Sequence, residues 1–437
     1  MKKLILLLSV ISVFASCSKD GPDTITSNLN LNLEYANSSY QSKLKDKEVS
    51  IKLKSLSNGA VTEINQLPGR QQISSLAAGS YDVEATITFT QEEFLNLTQE
   101  DIGSTSITFN ASAKQVNLVQ DVDLDLSLLA GTVGDFVIKQ IYYAGSDNRN
   151  GAIYRDQFFE IYNNTDRVLY ADSLYFGRLW GKQSPTDDKH YYQNNGQFDW
   201  SKSLEMTGSN ANSDYVYMRD LFMIPGTGQT YPVEPGKSII IAQNALNHKV
   251  PFTGNNGKEV SVKDPSLTVD LSGADFEVYF GDLPGETPFI SDIDNASVPN
   301  VDVLVYQGND WILDNLGRDS YVIFKGKTRA EVSALKAYYA PSINAPGASA
   351  SKYTQLPINW IMDGVEAQPN VESSQIPKKL PAAVDAGYKF VTDGSYSSQA
   401  IMRKTSSEVG GRKILQDSNN SSNDFISIKA DPRGFAN

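Results

Sequence analysis

Ile73–Phe89 reads Ile-Ser-Ser-Leu-Ala-Ala-Gly-Ser-Tyr-Asp-Val-Glu-Ala-Thr-Ile-Thr-Phe. Gly79 supplies a turn, after which Tyr81, Val83 and Ala85 fall on one face of an extended chain. A period of two puts one row of side chains in a core and the other in water, which marks a half-buried strand. The same period recurs upstream. Leu29, Leu31 and Leu33 alternate with Asn30, Asn32 and Glu34, and Val49, Ile51 and Leu53 with Ser50, Lys52 and Lys54. Another strand is expected over 116–128, and apolar segments at Phe136–Gly145 and Gln157–Gly177 begin a second β region. Helical spacing is convincing at one place: Thr328 caps Arg-Ala-Glu-Val-Ser-Ala-Leu-Lys-Ala-Tyr-Tyr, Val332, Leu335 and Lys336 share a face, and Pro341 ends the helix. With 31 Gly and 18 Pro for turns and no βαβ rhythm, the reading is an all-β protein.

The chain has 437 residues, which suggests about two or three domains. It carries 38 Lys+Arg against 51 Asp+Glu, a net charge of −13. That balance argues against a nucleic-acid partner, which needs a basic face. A hydrophobic content of 40% with 10% aromatics supports a real core and argues against disorder.

The amino terminus begins Met-Lys-Lys, and an apolar run follows from Leu4 to Phe14. The run is shorter than the roughly 20 residues a membrane-spanning helix needs and has the length of a signal-peptide core. Ala15 and Ser16 precede Cys17, the sole cysteine. Phe-Ala-Ser-Cys resembles the lipobox of bacterial lipoproteins. The resemblance implies cleavage after residue 16 and acylation of Cys17, with anchorage strengthened by each buried methylene. Ser18, Lys19 and Asp20 resemble the export signal of Bacteroidota surface lipoproteins, which implies the outer membrane with exposure at the cell surface. With Cys17 acylated, the mature chain holds together without disulfides.

The expected organisation is a signal peptide at 1–16, a lipidated tether at 17–25, a first β-sandwich at 26–130 and a second β region at 131–437. Ile73–Phe89 resembles the closing hairpin of carboxypeptidase-regulatory-like, transthyretin-like sandwiches. Phe159-Glu160-Ile161-Tyr162-Asn163-Asn164 resembles the second strand of lamin-tail domains, which are immunoglobulin-like sandwiches. Pro232–His248, Asn359–Glu366 and Ile401–Phe425 resemble later segments of that family in the same order. The whole chain resembles an uncharacterised family of Bacteroidota surface lipoproteins that joins the two modules. It departs in length: an immunoglobulin-type sandwich takes about 100 residues, so 131–437 must carry insertions, placed near 178–230 and 326–400. Long insertions on a rigid sandwich are where binding commonly resides.

Candidate chemistry is sparse. The only histidines are His190 and His248. With no free cysteine they fall short of the three or four ligands of a usual zinc site, so no metal ligands are assigned. No nucleophile elbow and no phosphate-cradling glycine loop appears, no carboxylate pair stands out, and no catalytic residue is assigned. His248 is expected to face solvent or cap a turn. His190 lies in Ser184–Trp200 with Tyr191, Tyr192, Phe198 and Trp200. That group reads either as a stacking platform for a ligand or as packing that fixes the insertion to the sandwich. Asp121, Asp123 and Asp125 share a strand face at about 7 Å spacing, a solvated row that would otherwise suit calcium. Asp417–Asp424 reads as an Asx-rich turn. No cofactor is expected, a structural calcium aside. Asp23-Thr24-Ile25 and Asp172-Ser173-Leu174 resemble the Bacteroidota O-glycosylation motif, with Thr24 and Ser173 as acceptors.

These readings imply a non-enzymatic lipoprotein of the cell surface that binds a nutrient or a partner, with a small molecule, a glycan or a peptide as ligand. Family resemblance adds a TonB-dependent receptor as companion. The alternatives are a surface hydrolase acting on glycans or peptides, and a structural or adhesive module.

Overall fold

The computed structural model describes residues 26–100, 106–131, 134–153 and 155–436. Cys17 and Thr24 lie outside the described residues. The protein is all-β, with several sheets arranged as sandwiches.

The first module contains β1 (Thr26–Tyr35), β2 (Val49–Ser55), β3 (Val61–Gln66), β4 (Gly69–Ala77), β5 (Gly79–Thr90), β6 (Ser106–Leu118) and β7 (Val122–Gly131). They hydrogen-bond in the order β3-β2-β5-β6-β7-β1-β4. β1 and β7 run parallel, from Leu29 opposite Val122 to Tyr35 opposite Leu128. The far end of β7 pairs instead with β6, Asn110 facing Leu129. Because β7 changes partner along its length, the strands fold over into two facing layers. Leu29, Leu31, Leu33, Val49, Ile51, Leu53, Val83 and Ala85 meet in the core between them. Each large apolar side chain buried there contributes about 1.5–3 kcal/mol. Phe109 stands edge-to-face against Tyr35 at 5.0 Å and Phe89 at 6.1 Å.

Two local features differ from the sequence reading. The strand expected over 116–128 is the end of β6 and most of β7, separated by a bend. Asp121 fixes that bend by accepting the Asn28 backbone N–H at 2.8 Å and the Asn28 side-chain amide at 3.0 Å. A helix, Gln91–Thr98, follows β5 and seats Phe94 in the core. The Thr90 side chain accepts from the Glu93 N–H while Glu93 accepts from the Thr90 N–H, which satisfies two otherwise orphaned donors.

The second module is a larger sandwich. One sheet places Phe276–Glu277, Ser238–Ala242, β9 (Phe158–Asn163), β8 (Phe136–Tyr142), Gln399–Arg403 and Phe425–Lys429 side by side. The other runs Ala337–Tyr339, Lys352–Pro357, Tyr215–Met223, Tyr175–Leu179, Ser320–Phe324 and Ile361–Glu366, with Asp302–Val305 also against Tyr215–Met223. Ile138, Phe159, Ile161, Phe176, Phe222, Ile323 and Ile401 share the core between them. β8 and β9 are buried on both faces. Their outer face is closed by a buried ion pair, Lys139 to Glu160 at 2.8 Å, under the Phe435 ring.

The helix anticipated after Thr328 spans only Arg329–Ser333, with the Thr328–Glu331 capping box intact. It stops well before Pro341, because Ala337–Tyr339 pairs with Lys352–Thr354 and buries Tyr338. Tertiary pairing of two tyrosines here overrides helical spacing.

The modules touch through the Asp417–Asp424 turn and Tyr388. Asn110 donates to the Ser418 carbonyl at 2.9 Å, Asn420 to Glu84 at 3.2 Å, and Lys54 to the Tyr388 hydroxyl at 3.1 Å. Behind the turn, buried Arg403 reaches Asp363 at 2.5 Å, Asp417 at 3.0 Å and Asp424 at 3.6 Å.

Candidate ligand-binding site

Segments from 178–230 and 326–400, ranges that also supply the sheet strands Tyr215–Met223, Lys352–Pro357 and Ile361–Glu366, meet and build one lobe at the edge of the second sheet. The chain leaves Tyr175–Leu179 and loops outward, and Asp187 fixes the loop by accepting the Lys189 N–H at 3.0 Å and holding His190 Nδ1 at 2.8 Å. The Tyr191 N–H donates to the Pro341 carbonyl at 2.8 Å and the Ile343 N–H to the Lys189 carbonyl at 2.9 Å. Ser203 adds a hydroxyl bond to the Tyr339 carbonyl at 2.6 Å.

Aromatic rings stack beneath these backbone ties. Trp200 lies on Tyr217 at 3.6 Å and 10°, Trp180 on Tyr353 at 4.9 Å and 4°, and His190 on Phe198 at 4.6 Å. Phe198 is 3% exposed and Trp200 7%. Both rings thus pack the lobe, and a ligand cannot lie on a face another ring already covers. Tyr192 is half-buried, with the Lys182 ammonium 4.3 Å from its ring centre. Tyr191 is 42% exposed, at the surface. Of the five residues singled out in the sequence, His190 alone lines the lobe's open groove.

That groove measures about 390 Å³, and Trp180, Lys189, His190, Tyr339, Ser342 and Asn344 are among its lining residues. Trp180, Tyr339 and Asn344 were not legible as site residues. The Tyr338-Tyr339 pair ahead of Tyr353 was the available signal, hidden because it read as the end of a helix. No Asp or Glu lines the groove. A second cleft of about 220 Å³ lies between the modules, with Asp82, Lys114, Lys182, Glu372, Lys378 and Tyr388 on its walls.

Other candidate positions have structural partners. Asp121, Asp123 and Asp125 form an outward row in which each takes an amide from β1: Asn28 at 3.0 Å, Asn30 at 2.8 Å and Asn32 at 3.0 Å. The Asn28 backbone N–H also holds the Asp121 carboxyl below its ordinary value. Among the described residues no group of three or more His, Cys, Asp or Glu is placed to hold a metal ion. His248, expected to face solvent or cap a turn, does not face solvent: it is fully buried, bonds the Arg155 carbonyl at 2.9 Å and stacks on Phe252 at 5.1 Å. Burial pushes its imidazole down to about 3, so it is neutral. Ser173 is half-buried with a φ of 55°, between buried Asp172 and Leu174. Asp172 accepts the N–H groups of Gly228, Thr230 and Tyr231 at 2.8–2.9 Å. Burial opposes its charge, yet those donors prevail and hold it down to about 2.

The most shifted carboxyls lie away from the groove. Burial raises Glu277 and Asp292 to about 7 and Asp310 to about 6. Glu277 caps the Ala245 and Asn295 N–H groups, and Asp292 caps those of Phe280 and Gly281. Their geometry serves backbone satisfaction under loops.

Comparison with known proteins bears on the C-terminal half and on the fold. A family model described as "protein of unknown function (DUF4876)" matches residues 234–432. A crystal structure of a DUF4876 family protein from Bacteroides thetaiotaomicron aligns over 92% of this chain and 94% of that one, at 22% identity and a TM-score of 0.51. A candidate cell adhesion protein from Bacteroides ovatus aligns over 50% of this chain and 77% of that one, at 11% identity and a TM-score of 0.16. No curated protein sequence matches. Residues 234–432 are therefore similar to the DUF4876 family, and the chain as a whole shares its fold with the Bacteroides thetaiotaomicron member.

Proposed function

We propose that this protein is a lipid-anchored, non-enzymatic binding protein of the outer membrane, displayed at the cell surface, with the insertion-built groove as its ligand seat. The observation that carries the reading is that two insertions far apart in sequence are tied together by backbone bonds around a concavity of about 390 Å³. Ligand pockets commonly run from about 300 to 1,000 Å³ and are largely pre-formed. Stacked rings beneath the groove hold its shape, which lowers the ordering cost of binding. The sequence around Cys17 supports acylation. The companion in this reading is a TonB-dependent receptor, which the groove would supply with captured ligand.

The test is purification of the tagged protein from detergent-solubilised outer membranes. The expected result is an amino-terminal peptide beginning at Cys17 with acyl mass added, and a TonB-dependent receptor in the same eluate. An unmodified Cys17 contradicts the anchor, and an eluate without such a receptor contradicts the companion role.

A further inference from the structure

We infer that the groove accepts an acidic saccharide, a sugar ring bearing carboxylate or sulfate; this rests on the groove being the ligand seat. The first argument is electrostatic. The chain carries 51 acidic residues and a net charge of −13, yet the groove lining holds no Asp or Glu. Lys189 lies in that lining and makes no ion pair among the described residues. Asp188, two residues before His190, is exposed and lies outside the lining, and Asp187 is engaged by that imidazole's Nδ1 at 2.8 Å, which leaves Nε2 for another partner. Lys352, beside the groove, lies 4.6 Å from the centre of the Tyr339 ring and is paired with Glu205 at 3.1 Å, so Lys189 is the cation left to a ligand. On so acidic a molecule, an anionic ligand is repelled elsewhere and tolerated at a groove whose lining carries Lys189 and no carboxylate.

The second argument is the mixture of surfaces. Half-buried Tyr339 gives flat apolar area of the kind that accepts the C–H face of a sugar ring, while Trp180, stacked on Tyr353 with Arg219 over its ring, walls the groove. Ser342 and Asn344 add neutral donors and acceptors, and Asn344 has no side-chain hydrogen bond within the described protein. A primary amide presents two donors and an acceptor, which suits neighbouring hydroxyls. Ala345, Gly347 and Ala350 complete the lining with small side chains that leave room for a ring.

The experiment is calorimetric titration of the mature chain with a panel of uronate and sulfated oligosaccharides, beside neutral ones of equal length. The expected result is binding of at least one acidic member, with Lys189→Ala and Tyr339→Ala each weakening it by about tenfold or more. Circular dichroism checks that both variants fold. Equal affinity for the neutral counterpart overturns the acidic part. Acidic-saccharide binding that both folded variants retain overturns the groove as the seat. A panel in which nothing binds overturns the saccharide class and leaves the anchor and receptor to be judged by the membrane purification above.

Discussion

Trp200 shows at the scale of one residue how an aromatic cluster that reads as platform or as packing serves packing. Its sequence neighbours allowed a ligand platform or packing against the sandwich, and its face lies 3.6 Å from Tyr217, as packing requires. Trp200→Ala should cost about 3–5 kcal/mol by chemical denaturation, as large-to-small changes in packed sites do. Tyr191→Ala, at an exposed ring, should stay within about 0.5 kcal/mol. Equal losses would contradict the packing described. Arg403 offers a second test. Burial raises its partners Asp363 and Asp424, while the guanidinium opposes that shift. Removing it with Arg403→Ala leaves buried carboxylates without their counter-charge and should cost about 3–5 kcal/mol near neutral pH. The loss should shrink at pH 5, where those carboxyls take up protons; a loss independent of pH would contradict the cluster. Asp363 falls in Asn359–Glu366 and Arg403, Asp417 and Asp424 in Ile401–Phe425, segments legible only as family-like stretches, because an ion cluster carries no periodic signal.

Elements were legible where period and burial agreed. Leu29-Leu31-Leu33, Val49-Ile51-Leu53 and Tyr81-Val83-Ala85 each alternate and each faces the core. Pairing was not legible. The parallel match of β1 with β7 aligns three asparagines with three aspartates, and polar rows look alike in sequence whatever strand adjoins them. The helix Gln91–Thr98 was missed although Thr90-Gln91-Glu92-Glu93 carries the capping-box pattern, since eight residues give too short a periodic window. Thr90→Ala should destabilise the first module by about 0.5–2 kcal/mol, read from the shift in denaturation midpoint. No change would mean that the cap contributes nothing to that loop. The five-residue helix after Thr328 errs in the opposite sense, with capping signal and spacing both present but Tyr338 drawn into a sheet edge.

The whole molecule has an unusual number of carboxyls that burial pushes upward. Asp156, Asp310 and Asp385 rise to about 6, and Glu277 and Asp292 to about 7. Unfolded carboxyls titrate near 4, so between about pH 4 and 7 the folded chain retains protons that the unfolded chain has lost. Stability therefore falls as pH rises through that window. His248 works in the opposite direction: its folded value is lowered, so its contribution is present above about 6.5 and lost as pH falls. Asp172 opposes only below about pH 4. The raised carboxyls outnumber these two, and the melting temperature should be higher at pH 5.5 than at pH 8. A lower value at pH 5.5 would contradict the burial assigned to them.

The sandwich architecture was readable from alternation. The groove was not, because the residues that line it come from two segments, 180–190 and 339–353, whose meeting depends on tertiary packing. Its proposed role depends on where the protein resides. The most direct measurement is trypsin treatment of intact cells followed by fractionation, comparing the native chain with Cys17→Ala. The account predicts that the native chain partitions with the outer membrane and is cleaved from outside, and that Cys17→Ala leaves the membrane fraction. A native chain that trypsin cannot reach, or a variant that stays with the membrane as the native chain does, would contradict it.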